Sequence, residues 1–263
     1  LPHRCSLSPL TIHLLTALIV VLATACGGEG ERGLDGGRAL AWAEPPPPPY
    51  SVVDVSRSGA IVGRVMVSGE AHSEPTLRVE ASEDAACGGE RNIPLVVRRG
   101  DRLAEVVVWL ADARSGKRLP AERRFEVTNE RCELLPRVQA AIAGGMLHVK
   151  NADAAAHHTR FTHRGLELAR ARQTDPGQVV PTGKVLALPG LVEARCELHP
   201  WTRAWIHVFD HPYFAVTNRD GTFTLDSVPP GTYHLRLWHP ALGERTRSVS
   251  VEEGEDTKVE IGF

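Results

Sequence analysis

The most constraining feature of this chain is its hydrophobic period. From Ser58 onward no segment keeps a long 3.6-residue repeat, and Gly165 to Arg172 is the one stretch that would make a helical turn or two. What recurs instead is the short run in which apolar and small or polar residues alternate, bounded by Gly, Pro, Asn or Asp. Ala60 to Val67 is one such run, rich in β-branched side chains. Ala104 to Leu110, with Val106-Val107-Val108-Trp109, is more continuously apolar, as expected of a strand covered on both faces. Phe125 to Thr128 and Met146 to Lys150 follow. Val185 to Leu188 and Leu191 to Cys196 read as two strands around Pro189-Gly190, and Trp205 to Phe209 as the returning strand. Such a pattern predicts an all-β protein of packed sheets.

At 263 residues the chain can build one large or two small β domains. A net charge of -2 gives no basic field for nucleic acid. No Ser-His-Asp, H-E-x-x-H or phosphate-loop pattern is present, so an enzyme is the least supported class.

The first 57 residues read as processing and spacing segments. Residues 1–26 have a weakly basic start at His3 and Arg4, an apolar run from Leu10 to Leu22, and small residues before Cys26. The run is short for a membrane span, which needs about 20 apolar residues. Ala25-Cys26-Gly27 resembles a bacterial lipoprotein cleavage site, which implies a lipid on Cys26, a membrane anchor and an extracytoplasmic protein at the periplasm or cell surface. Ala23 departs from the Leu usual in that motif, and ordinary cleavage after Ala25 is the alternative. Residues 27–57 combine a Gly-rich stretch with Pro45 to Pro49, a flexible and then stiff tether.

Chemistry concentrates at two strand ends. Cys196-Glu197-Leu198-His199-Pro200-Trp201 sets a thiol and an imidazole three positions apart, and Asn151-Ala152-Asp153 precedes His157. Soft sulfur with imidazole suits copper or zinc better than magnesium or calcium. Together these residues resemble the cupredoxins, the blue-copper family that includes plastocyanin and azurin. The resemblance implies a Greek-key β-sandwich, a copper ion held by His157, Cys196 and His199, and electron transfer to a redox partner. It also implies that Asn151 ties the two ligand loops together; the alternative is that Asn151-Ala152-Asp153 is no more than a turn former. His158 and His163 are substitutes for His157, and zinc is the competing metal. The axial methionine of that family would align with Thr202, so a backbone carbonyl, a water or the Thr202 hydroxyl is left to occupy that face. Trp201 either shields the site, offers a contact to a partner, or is a core side chain.

Cys87, Cys132 and Cys196 allow one bridge and one leftover thiol in an oxidising compartment. If Cys196 binds metal, the disulfide is Cys87–Cys132; a bridge to Cys196 would abolish the site. The turns Asn218-Arg219-Asp220-Gly221 and Val228-Pro229-Pro230-Gly231 resemble the carboxypeptidase regulatory-like, transthyretin-like β-sandwich, usually a non-catalytic module. The expected division is therefore a cupredoxin-like domain over 58–211 and that module over 212–263. Ile61 to Val65 also looks like the module's first strand, so 58–120 is a candidate to pair with it. The rival functional reading is a copper-free surface β-sandwich that binds protein or carbohydrate.

Overall fold

The computed structural model describes residues 49–68, 76–79, 86–87, 91–183 and 185–263. Among them there is no helix, and the chain is all-β. The predicted leader and Cys26 lie outside the described residues. The end of the predicted tether is not free: Tyr50 donates its hydroxyl to Lys117 O, and Ser51–Val52 runs parallel to Ser115–Gly116.

Two sandwich cores form, and the chain visits one of them twice. In the first, Gly59–Met66 lies antiparallel to Thr222–Val228 and parallel to Asp256–Gly262. The facing sheet orders Phe214–Val216, Val107–Leu110, Gly231–His239 and Gly243–Val251. Ile61, Val65, Val108, Leu110, Phe223 and Leu235 fill the space between. Strands from 58–120 are thus hydrogen-bonded to strands from 212–263, and the segment between is an insert with its own core.

The insert packs a four-stranded sheet on a five-stranded one. The first orders Glu133–Leu135, Arg124–Glu130, Met146–Asn151 and Val179–Pro181. The second orders Val138–Ile142, Arg203–Phe209, Gly190–Cys196, His157–His163 and Leu166–Gln173. Val127, Leu147, Val149, Phe161, Val192 and Ile206 are buried between them.

Strand alternation explains how the two cores meet. Val108 and Leu110 point into the first core, which leaves Val107 and Trp109 facing the insert. On the insert, Ala204, Ile206 and Val208 point inward, and Trp205 and Phe209 turn toward Trp109 and Trp238. The continuous apolar run at 107–110 is covered on both faces, as its sequence predicts.

Two local expectations fail. Gly165 to Arg172 is no helix: Leu166–Gln173 is an edge strand against His157–His163. Leu, Glu, Ala and Arg favour helix in isolation, but burial of Ala171 and Gln173 with exposed charged neighbours is a two-residue period. Val185 to Leu188 is a turn and not a strand, although it still buries Val185 and Leu186 in the insert's core.

Candidate metal centre

The insert's second sheet builds the site at one end. Gly190–Cys196 ends on Cys196, and His157–His163 begins on His157. The register sets Cys196 opposite Thr159, so His157 lies one two-residue step further along the same face. Inward-facing His157, Thr159, Cys196 and Ala194 are all buried. His158 is on the opposite face, and His163 is held by Leu191 O at 2.9 Å, so neither replaces His157.

His199 reaches the same point from a tight turn. Thr202 N–H donates to His199 O, and Cys196 N–H donates to Thr202 O. The turn is tied to the neighbouring strand by Glu197 N–H to His158 O. Its imidazole is thereby folded back over Cys196.

The three polar atoms form a closed triangle. Cys196 Sγ is 3.7 Å from His157 Nδ1 and 3.5 Å from His199 Nδ1, and the two nitrogens are 3.2 Å apart. A triangle with those sides has a point about 2.0 Å from every corner; a metal–imidazole bond is about 2.0–2.1 Å and a metal–thiolate bond about 2.3 Å. His157 is 0 %, His199 2 % and Cys196 3 % exposed, so water does not compete for these donors. The residues present fit a soft or borderline ion.

Two electrostatic facts prepare the donors. His157 Nε2 lies 3.0 Å from Asp153 Oδ2. An ionised carboxylate only accepts, so Nε2–H is donated to it, and Nδ1 is the nitrogen that would give its lone pair to a metal in place of its hydrogen bond with Cys196. Burial pushes the Cys196 thiol up, but its contacts with the His157 and His199 rings and with the backbone at His158 and Leu198 outweigh this and bring it down to about 5. Cys196 is a free, buried cysteine poised as thiolate.

Asp153 is the functional residue the sequence reading passed over. Its carboxylate also accepts the N–H groups of Arg131 and Cys132, at 2.6 and 2.9 Å. Only its position four residues before His157 hinted at this. Asn151 does something other than the expected bridging. Its amide donates to Ala155 O and Asp175 O, and its oxygen accepts Asp153 N–H, so its partners are in its own loop and at 175 rather than in the Cys196–Thr202 turn. A short side chain already engaged in an Asx turn cannot reach further.

The ligand loops are instead joined through Cys132. Its carbonyl accepts Trp201 Nε1–H at 3.0 Å and Thr202 Oγ1–H at 2.7 Å. Cys87 and Cys132 form a disulfide. Trp201 packs on that bridge, and its ring lies 5.2 Å from His199, closing the site on that side.

Residues 199–262 match the family model of the carboxypeptidase regulatory-like domain. Among solved structures, the chain is similar to a purple cupredoxin from Nitrosopumilus maritimus, at 16% identity and a TM-score of 0.28, over 32% of this chain and 99% of that one. It is also similar to amicyanin from Paracoccus versutus (Thiobacillus versutus), at 21% identity and 0.28, over 35% of this chain and 85% of that one. These neighbours are cupredoxins. No curated protein matches the chain. The fit of a metal to the site rests on the side chains themselves.

Proposed function

We propose that this chain is an exported copper protein that transfers electrons or carries copper, held to a membrane by a lipid on Cys26. The observation that carries the metal reading is the buried triangle of Cys196 Sγ, His157 Nδ1 and His199 Nδ1. One thiolate and two neutral imidazoles in a plane suit copper, which would exchange a single electron there. The protein's part is to hold the donors still. Two paired strands, a hydrogen-bonded turn and a disulfide fix the three positions before the metal arrives. Burial of all three donors favours electron transfer over carriage, since handing on an ion needs ligands a recipient can reach. No role as a catalyst is proposed.

A redox protein is the proposed partner. Leu198, 47 % exposed within the ligand turn, would be an apolar contact beside the site. The lipid anchor rests on the short apolar run that ends in small residues before Cys26.

Copper loading of the full chain tests the reading. Copper(II) on one thiolate absorbs visible light through sulfur-to-metal charge transfer, and zinc does not. Coloured protein is expected, with colour lost in Cys196→Ser. Wild-type protein that stays colourless with Cys196 reduced sinks the copper reading and leaves the metal-free binding module. Mass spectrometry of exported protein should find diacylglycerol on Cys26, and an unmodified soluble product would remove the anchor.

A further inference from the structure

A trigonal copper site commonly has a weak, long axial donor, often methionine. This chain has two methionines. Met66 belongs to the other sandwich, in Gly59–Met66. Met146 is 60 % exposed, at the far end of its strand from Asn151 and roughly 17 Å along it. Neither reaches the triangle. The aligned residue, Thr202, commits its hydroxyl proton to Cys132 O.

A different sulfur lies close to both imidazoles. The buried Cys87 Sγ and one ring nitrogen from each of His157 and His199 all lie within 4.8 Å of one another. Cys132 Sγ is grouped within the same span with His157 and Asp153, not with His199. Of the two bridged sulfurs, Cys87 is therefore the one grouped with both imidazoles. We propose that Cys87 Sγ, kept neutral by its bond to Cys132, is the axial donor of the site. This rests on the copper reading above.

The chemistry is that of the missing thioether. A disulfide sulfur is uncharged, soft and has lone pairs, so it can approach a metal weakly without adding charge to the plane. A second thiolate would instead make a two-sulfur, two-nitrogen set of the kind that suits zinc. The bridge is thus a ligand-supplying element as well as a staple. Its position is fixed from the site's own side, because Trp201 and Thr202 grip the Cys132 carbonyl and Asp153 grips the Cys132 N–H.

The test uses the full chain loaded with copper(II). The double variant Cys87→Ala/Cys132→Ala removes both sulfurs and keeps Cys196. The expected result is retained colour with shifted charge-transfer bands and a changed copper hyperfine splitting in electron paramagnetic resonance. A folded double variant whose two spectra match wild type overturns the proposal. X-ray absorption on wild type decides the matter if that variant does not fold. A second, longer sulfur contact beyond the Cys196 thiolate is expected, and a single sulfur overturns the axial role. Protein that takes up no copper with Cys196 reduced fails the copper reading itself, and the axial role falls with it. Copper uptake with unaltered spectra fails only the axial role.

Discussion

At the scale of single residues, the site is a lesson in what a strand end can and cannot advertise. Cys196 stood out in the sequence because a period-two pattern stops on it, His199 by its three-residue spacing from Cys196, and His157 by following another strand-like run, and the cupredoxin resemblance joined the three. Asp153 was not legible, since Asn-Ala-Asp is also how an ordinary turn is written and nothing in a sequence says which imidazole a carboxylate will face. Its hydrogen bond to His157 Nε2 gives it a definite job, that of fixing the tautomer. Asp153→Asn keeps the shape and can present an amide N–H to Nε2, which favours the tautomer protonated on Nδ1. Copper affinity should then fall by about 10–100-fold, the usual cost of losing such an outer partner. Competition against a chelator of known affinity measures it, with circular dichroism as the control for folding. Unchanged affinity would mean that the ring orientation alone, and not the proton's position, prepares His157. The Cys87–Cys132 pairing was legible only on condition that Cys196 was reserved for metal. The structure has that pairing and leaves Cys196 outside it.

At the scale of elements, alternation carried most of the reading and failed where composition argued against it. Leu166–Gln173 has a helix former's composition yet pairs as an edge strand, because His157–His163 offers it a ladder and its small residues fit the inner face. Val185 to Leu188 is apolar for the core's sake without being extended. Gly63 shows the opposite case, a position whose reason is steric and invisible without the partner strand. It stands across from Phe223, and a Cβ built on it would meet the Phe223 ring at 2.3 Å. Val259, paired with Gly63 on the other side, would be 2.7 Å away. Both neighbours belong to the first core's packing, so Gly63→Val must displace an aromatic ring. The expected loss is about 1–3 kcal/mol, read as a lower midpoint in urea unfolding at constant slope. Equal midpoints would show that Phe223 has an alternative rotamer at no cost.

At the scale of the whole folded unit, the two cores share a seam of aromatic rings, and no sequence pattern reveals which apolar face will meet which. His207 lies in that seam, 4.8 Å from the Trp238 ring, 5.4 Å from Trp109 and 5.7 Å from Phe209. His211 follows at 5.5 Å from Phe209. Burial pushes both imidazoles down from 6.5 to about 4; Arg236 adds to this for His207, while for His211 the nearby Asp210 opposes it and Arg114 adds to it. His239, buried with Arg137 nearby, is likewise pushed down to about 4. In the unfolded chain these rings take up protons near pH 6.5; in the folded one they resist until about pH 4. Between those values the unfolded state binds more protons, so stability increases with pH there. Their contribution is complete above pH 6.5 and is lost as pH falls through 6 and 5 toward 4, at most on the order of 3 kcal/mol for each ring. His207→Phe removes one titrating group and keeps a ring in the seam. Between about pH 7.5 and 4.5 the unfolding midpoint should fall less steeply in this variant than in wild type, because wild type alone pays for keeping that imidazole neutral. Parallel curves would mean that His207 takes up its proton as readily in the folded protein as in the unfolded chain, and the seam would then not be dry at that ring.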